Sequence, residues 1–337
     1  MRRLLALIFD GLTRLRNWLY DKKLRSVYQP SIPSIGVGNL TVGGTGKTPH
    51  VEFLVRHLSA RGPVVVLSRG YKRATKGFRW DTPQDTPQTI GDEPFQIARK
   101  FDGQPVRVAV GEDRVAATQR IIAEAPETKW LVFDDVFQHR PIAPQLLLLL
   151  SDYNRPFYAD YLLPQGRLRE ARHGGRRADA LLITKAPGQL TTAEKTHIRA
   201  AAQPYLRPQT PIFFSTVVYG EIRPLLPERF PEITSRILLV TGIGGNTKPL
   251  RAYLSRYFEC LDEISFGDHH AYTAADMQRI AARLRDCPPQ TSVLTTEKDA
   301  VKWLALRPNF PAFYLPIEVD FPDQDFLLWL KEKIAKG

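Results

Sequence analysis

Apolar and polar positions alternate along the chain in two rhythms. Short apolar runs recur at Ile35 to Val37, Val64 to Leu67, Val106 to Val110, Trp130 to Phe133, Leu146 to Leu150 and Ala180 to Thr184. Each is bounded by glycine or polar residues, the pattern of strands buried on both faces. Between them lie stretches of helical spacing, from about Pro49 to Ala60, from Pro94 to Phe101 and up to about Ala123. The alternation predicts a parallel sheet with helices on both faces. A second series follows: a strand at Ile237 to Thr241, a helix after Pro249, a strand near Ile264, a helix from Thr273 to Arg285 and a strand at Val293 to Thr295. Two β-rich runs, Pro211 to Tyr219 and Ala312 to Val319, bracket it. The expected architecture is a larger α/β lobe at 28–210 and a smaller one at 223–310. Segments 211–222 and 311–320 form a two-stranded linker, and 321–337 carries a short amphipathic helix from Asp325 to Ile334.

The first 27 residues have a different character. Leu4, Leu5, Ile8, Leu12, Leu15 and Leu19 follow helical spacing among Arg2, Arg3, Arg14, Arg16, Lys22, Lys23 and Arg25, with Trp18 and Tyr20 near the end. No apolar run approaches the ~20 residues of a membrane span. The run from Leu4 to Phe9 meets Asp10 and has no small-residue cleavage site, unlike a signal peptide. Two readings stand: a basic amphipathic helix lying in a membrane interface, or a helix packed on its own domain. Different faces of one helix accommodate both.

The strongest chemical signal follows the first strand. Thr41, Val42, Gly43, Gly44, Thr45, Gly46, Lys47 and Thr48 form a glycine-dense turn that leads into a helix. Glycines let backbone N–H groups crowd around phosphate oxygens, and the positive end of the helix faces the same anion. Lys47 then reaches the β- and γ-phosphates of a nucleotide, and Thr48 ligates Mg²⁺. Thr41 stands where the strict phosphate-loop (P-loop) pattern has glycine. Asp134 and Asp135 end a later apolar strand, the natural second motif of such a site and a further hold on Mg²⁺. The basic loop Ser68 to Arg73, with Arg69 at its start, ends a neighbouring strand and is placed to touch an anion. Asp92 and Glu93 open a helix, where carboxylates serve as charge complements to the helix end or as reactive groups. His269 and His270 follow Asp268 in a loop of the second lobe, without the companions of a closed zinc site.

Net charge is +12, which favours anionic partners: nucleic acid, anionic lipid or phosphorylated substrates. No helix-turn-helix, zinc or RNP signature supports a nucleic-acid binder. The two cysteines, Cys260 and Cys287, read as free thiols. Membrane-associated ATPases with a doubled-lysine loop carry a lysine where this chain has Val42, and Thr184-Lys185-Ala186-Pro187 lacks the aspartate of a guanine-binding motif.

Seven strings occur in order: G-N-L-T-V-G-G-T-G-K-T-P, S-R-G-Y-K-R, G-D-E-P, D-D-V-F-Q-H-R, L-P-Q-G-R-L-R-E, F-G-D-H-H-A-Y-T and T-E-K-D-A-V-K. With them the chain resembles the tetraacyldisaccharide 4′-kinases, the lipid A 4′-kinases of Gram-negative bacteria. The resemblance implies a membrane-associated P-loop kinase of two α/β lobes at the cytoplasmic face of the inner membrane, and a monomer is the expected state. It implies transfer of the γ-phosphoryl group of ATP, with Mg²⁺, to the 4′-hydroxyl of an acylated glucosamine disaccharide 1-phosphate, giving lipid IVA. It implies Asp92 as catalytic base, helped by His269, with Asp268 orienting that histidine. Thr48, Asp134 and Asp135 become the Mg²⁺ group. Asn39, Arg69, Glu93, Arg114, Gln138, His139, Arg169 and Glu170 become candidate contacts to sugar phosphate or transferring phosphate. The chain departs from the pattern at Val136, where glycine is usual, at Glu112-Asp113 beside Arg114, and at Gly244-Gly245-Asn246.

Overall fold

The computed structural model describes residues 2–243 and 247–335, so the loop Gly244-Gly245-Asn246 lies outside the described residues. The larger lobe comprises α1 (Arg2–Asp21), β1 (Ser34–Asn39), α2 (Lys47–Ser59), β2 (Val64–Ser68), β3 (Arg79–Trp80), α3 (Pro87–Ile90), α4 (Asp92–Lys100), β4 (Val106–Val110), α5 (Arg114–Glu124), β5 (Trp130–Phe133), β6 (Leu146–Asp152), β7 (Ala180–Thr184), α6 (Thr192–Ala202) and β8 (Ile212–Phe214). Its strands form one sheet in the order β3-β4-β2-β5-β1-β6-β7-β8. Neighbours run parallel except β3, which is antiparallel to β4.

Central β1 is buried along its whole length. Its alternating glycines answer a close approach. A Cβ on Gly36 would come within 2.6 Å of Val136 Cγ1, and one on Gly38 within 2.6 Å of Phe137 Cβ. The segment after β5 therefore lies directly on β1, and Val136 fills the space that Gly36 leaves. Helices cover both faces. Val51, Leu54, Val55 and Leu58 of α2 pack on one side, and Ala117 and Ile121 of α5 on the other. Each buried branched side chain contributes roughly 1.5–3 kcal/mol over an exposed one.

The chain leaves this lobe through β9 (Thr216–Tyr219) and enters a second sheet built from β10 (Arg223–Pro224), β11 (Arg236–Thr241), α7 (Lys248–Leu254), β12 (Glu259–Ser265), α8 (Ala274–Arg285), β13 (Thr291–Thr296), α9 (Glu297–Trp303) and β14 (Ala312–Leu315). The strand order is β10-β14-β13-β11-β12. It returns through β15 (Ile317–Asp320), which pairs antiparallel with β9 from Thr216↔Asp320 to Tyr219↔Ile317. The two β-rich runs are thus each divided. Ile212–Phe214 is the edge of the large sheet and Ala312–Leu315 lies inside the small one, so the paired linker strands are shorter than 211–222 and 311–320. The final helix α10 (Asp325–Ala335) packs Phe326 and Leu330 into the core of the first lobe beside Phe53 and Phe213. Besides the linker, the lobes meet where α4 faces α9, with Val301 and Leu304 against Ile90 and Phe95.

Candidate active site

The phosphate loop is held by backbone on one side and side chains on the other. Val42 N–H donates to the Arg167 carbonyl at 2.8 Å, and Arg169 N–H donates to the Leu40 carbonyl at 2.7 Å. Asn39 Nδ2 donates to Thr45 Oγ1 at 2.7 Å, and the Thr184 hydroxyl donates to the Thr45 carbonyl at 2.9 Å. Gly43 and Gly46 take φ of 110° and 82°, which L side chains rarely adopt, so the turn needs glycine at both. Helix α2 starts at Lys47, two residues earlier than the spacing predicted. Lys47 and Thr48 therefore stand in the first turn, where backbone N–H groups lack helical partners.

The second motif lies beside it because β5 neighbours β1 in the sheet. Asp134 is buried, and its Oδ2 accepts from the Ser68 hydroxyl at 3.0 Å. Burial, with the charges of Asp135 and Glu93, pushes its carboxyl up to about 6. Asp135 adopts φ 49°, so the residue before Val136 takes up the left-handed turn that a glycine would carry. Burial works to raise the Asp135 carboxyl, but Lys47 at 3.8 Å and Arg169 at 3.0 Å outweigh it and hold it below its ordinary range. Asp134 Oδ1 and Asn39 Oδ1 are buried acceptors with no hydrogen-bond partner among the described residues. Unmet acceptors and excess negative charge beside a phosphate loop suit a cation. Among the described residues no group of three or more His, Cys, Asp or Glu side chains is arranged to hold a metal ion. Mg²⁺ is ordinarily held by one or two carboxylates plus substrate phosphates, so this donor set fits it.

Asp92 and Glu93 open α4 on the first lobe. Across the gap, the loop after β12 presents His269, whose Nδ1 lies 3.3 Å from Asp92 Oδ2. A carboxylate accepts, so Nδ1 donates. Lys298 Nζ lies 3.3 Å from His269 Nε2 and 3.0 Å from Asp268 Oδ1, which places the lysine between them and leaves Asp268 at 3.9 Å from the ring nitrogen. Lys302, almost fully buried, reaches the same Asp92 oxygen at 3.2 Å. It is anchored by the His270 carbonyl at 3.3 Å. Burial works to raise the Asp92 carboxyl, but the His269 hydrogen bond and the Lys302 charge hold it below the usual carboxylate range. The adjacent histidines part company: His270 stacks on Phe266 and meets Asp276 at 3.2 Å.

Sequence reading passed over Lys298 and Lys302, although four-residue spacing on α9 puts both on one face.

The remaining candidates divide. Gln138 and Arg169 lie within the site, joined at 3.2 Å, with Gln138 Nε2 donating to the Asn39 carbonyl at 2.8 Å. Arg69 is exposed beside Arg114 and His139. Burial, with the charge of Arg114, pushes His139 down to about 4. Arg114 is buried, donates to the carbonyls of Gly111 and Glu112, and is pushed down to about 10 by burial. The acids before it are engaged elsewhere. Asp113 caps α5, and Glu112 meets Arg73 at 2.6 Å. Glu170 is the most enclosed of the candidates. It is fully buried and accepts from Arg177 at 2.7 and 2.9 Å, Gln138 at 3.1 Å and Asn17 of α1 at 2.8 Å. A carboxylate so enclosed braces the site against α1.

A phosphate loop at the carboxyl edge of a parallel sheet, paired aspartates on the next strand and a carboxylate–histidine pair formed between the two lobes define a P-loop phosphotransferase. The sequence profile of the family described as LpxK, tetraacyldisaccharide-1-P 4′-kinase, matches residues 2–335, and the chain belongs to that family, whose members phosphorylate the 4′ position of this lipid in lipid A biosynthesis. A tetraacyldisaccharide 4′-kinase from Phocaeicola vulgatus is 41% identical over 322 residues, covering 91% of this chain and 86% of the relative. One from Cytophaga hutchinsonii is 37% identical, covering 96% and 92%. The crystal structure of the "apo" form of LpxK from Aquifex aeolicus in complex with ATP superposes with a TM-score of 0.74 at 27% identity, covering 98% of this chain and 96% of that one.

Proposed function

We propose that this chain transfers the γ-phosphoryl group of ATP to the 4′-hydroxyl of a tetraacylated glucosamine disaccharide 1-phosphate, with Asp92 as the base. The observation that carries this reading is the placement of Asp92. It opens α4, meets His269 and Lys302 from the other lobe, and the charge of its neighbour Glu93 acts on Asp134 at the phosphate loop.

Lys47 and the N–H groups of the loop and first turn of α2 cradle the nucleotide phosphates. Thr48 and Asp134 would hold Mg²⁺, and Asp135 positions Lys47 and Arg169. When bound, Mg²⁺ neutralises charge on the β- and γ-phosphates. Among the described residues both contacts to Asp92 fall on Oδ2. Oδ1 is left to take the proton of the attacking hydroxyl. The new bond forms between the 4′ oxygen and the γ-phosphorus, the bond from that phosphorus to the bridging oxygen breaks, and ADP leaves. His269 and Lys302 keep Asp92 ionised and aimed. Arg69, Arg114, Gln138 and His139 line the approach of the sugar phosphate.

Helix α1 serves as a peripheral anchor at the cytoplasmic face of the inner membrane, on a monomer. No helix among the described residues is long and apolar enough to cross a membrane. Leu5, Leu7, Ile8, Leu12, Leu15 and Trp18 are all exposed on α1, with Arg14, Lys22, Lys23 and Arg25 exposed around them. Apolar surface ringed by cations matches an anionic lipid interface. The deciding assay is incubation with labelled ATP, Mg²⁺ and the tetraacyl disaccharide 1-phosphate in detergent micelles. A labelled bis-phosphorylated lipid is expected, and its absence overturns the reading.

A further inference from the structure

His50, in the first turns of α2, has no part in the chemistry above, yet it is almost fully buried. Its Nδ1 lies 2.7 Å from the Gly46 carbonyl and its Nε2 lies 2.9 Å from Ser215 Oγ. A carbonyl only accepts, so Nδ1 carries the hydrogen and Nε2 accepts from the serine hydroxyl. The ring also stands edge-on to Phe321, with centroids 6.1 Å apart.

The three partners have distinct places in the fold. Gly46 is the left-handed residue immediately before Lys47, and its carbonyl also accepts the backbone N–H of His50 at 3.3 Å. Ser215 lies between β8 and β9, where the chain leaves the first lobe. Phe321 directly follows β15, where it returns. Ser215 is itself fixed to the sheet: its N–H donates to the Ile183 carbonyl and its carbonyl accepts from Ala186 N–H, both at 2.9 Å. One imidazole thus touches the phosphate loop and both roots of the linker.

We propose that His50 is a positioning residue that ties the phosphate loop to the two roots of the interlobe linker, so that the shape of the loop and the orientation of the second lobe are set together. This rests on the phosphate-loop reading above. A histidine that merely fills the core would affect stability alone.

The test uses the full chain with His50→Phe, His50→Gln and Ser215→Ala. Phe keeps a ring against Phe321 and loses both hydrogen bonds, and Gln restores a donor and an acceptor. Binding of ATP is measured at equilibrium, and hydrogen exchange is followed over 216–219 and 317–320 with and without ATP. In the unsubstituted chain, ATP is expected to change protection of both linker strands. Ser215→Ala is expected to weaken ATP binding roughly fivefold to tenfold, the worth of one buried hydrogen bond, His50→Phe at least as much, and both to remove that change. His50→Gln is expected to retain most of it. If Ser215→Ala behaves as the unsubstituted chain, the coupling is overturned even where His50→Phe weakens binding, because the histidine then props the loop only locally. Linker exchange that ignores ATP in the unsubstituted chain overturns it too. Should His50→Phe fail to fold, Ser215→Ala, which deletes a single oxygen, decides alone. A chain that binds ATP normally but leaves the lipid unphosphorylated contradicts the proposed acceptor and not the coupling.

Discussion

His269 Nδ1 lies 3.3 Å from Asp92 Oδ2, although the two residues are 177 positions apart and stand on different lobes. Neither lobe alone contains the pair. The site is assembled by the fold of the whole chain, and the α4–α9 contact beside it supplies the apolar support. Asp92→Asn keeps the shape of the side chain and removes its basicity. It is expected to lower kcat by about 10²–10⁴, the range for a positioned general base, while equilibrium ATP binding stays intact. Turnover near that of the unsubstituted chain would remove Asp92 from the role of base.

Lys302 offers an independent handle on the same carboxylate. Its ammonium lies 3.2 Å from Asp92 Oδ2 in an almost fully buried position. Burial works to raise Asp92, while His269 and Lys302 hold it below the ordinary range. A base must be ionised, so activity is lost as pH falls through that depressed value. Lys302→Met removes one stabilising charge and lets the carboxyl rise. The acid limb of the kcat/KM profile is then expected to move to higher pH, with Lys302→Arg closer to the unsubstituted chain. An acid limb that stays in place in Lys302→Met would show that the lysine does not tune Asp92.

How much of this was legible beforehand depended on whether a feature is local in the chain. The phosphate loop, the paired aspartates and the alternation of strands and helices are written in contiguous strings, and the doubly covered parallel sheet follows from that alternation. Convergence of Asp92 with His269 was legible through family resemblance, since no spacing rule joins positions so far apart. The enclosure of Glu170 was not legible because much of its environment is non-local. A carboxylate in a basic loop looks available, and only the fold shows Asn17, from 153 positions away, closing over it with Arg177. The division of each β-rich run between a sheet and the linker was hidden for a different reason. A strand in a sheet and a strand in a two-stranded ribbon share one residue preference.

A second charged contact between the lobes carries a stability prediction. Lys100 of α4 meets Glu52 of α2 at 2.7 Å and Glu297 of α9 at 2.9 Å, all three buried or nearly so. One ammonium faces two carboxylates. Burial, with the charge of Glu297, pushes Glu52 up to about 7. A raised folded-state value means the folded chain holds a proton that the unfolded chain has released. Stability is therefore full below the ordinary Glu value and declines as pH rises towards 7, by on the order of 3 kcal/mol at 1.4 kcal/mol per unit. Glu52→Gln removes the charge that must be neutralised. The substitution is expected to flatten Tm between pH 5 and pH 8 and to raise Tm relative to the unsubstituted chain at the upper end. Equal pH slopes in the two proteins would mean that Glu52 stays ionised in the fold.

Helix α1 presents two faces, and they respond to different substitutions. One face is tied down: Asn17 donates to Glu170 at 2.8 Å, Asp21 meets Arg140 at 2.8 Å and Tyr20 is buried. The other exposes Leu12 and Leu15 at 64% and 57%, too much apolar side chain on one helix for water alone. Each leucine buried in a lipid interface contributes roughly 1.5–3 kcal/mol, so Leu12→Asp with Leu15→Asp should reduce partitioning onto anionic vesicles by at least about a hundredfold. ATP binding should not change, because both side chains are exposed on α1. Asn17→Ala should do the reverse, lowering Tm and loosening the brace on Glu170 while vesicle binding persists. Vesicle partitioning that survives the double aspartate substitution would mean that the exposed face of α1 meets no lipid.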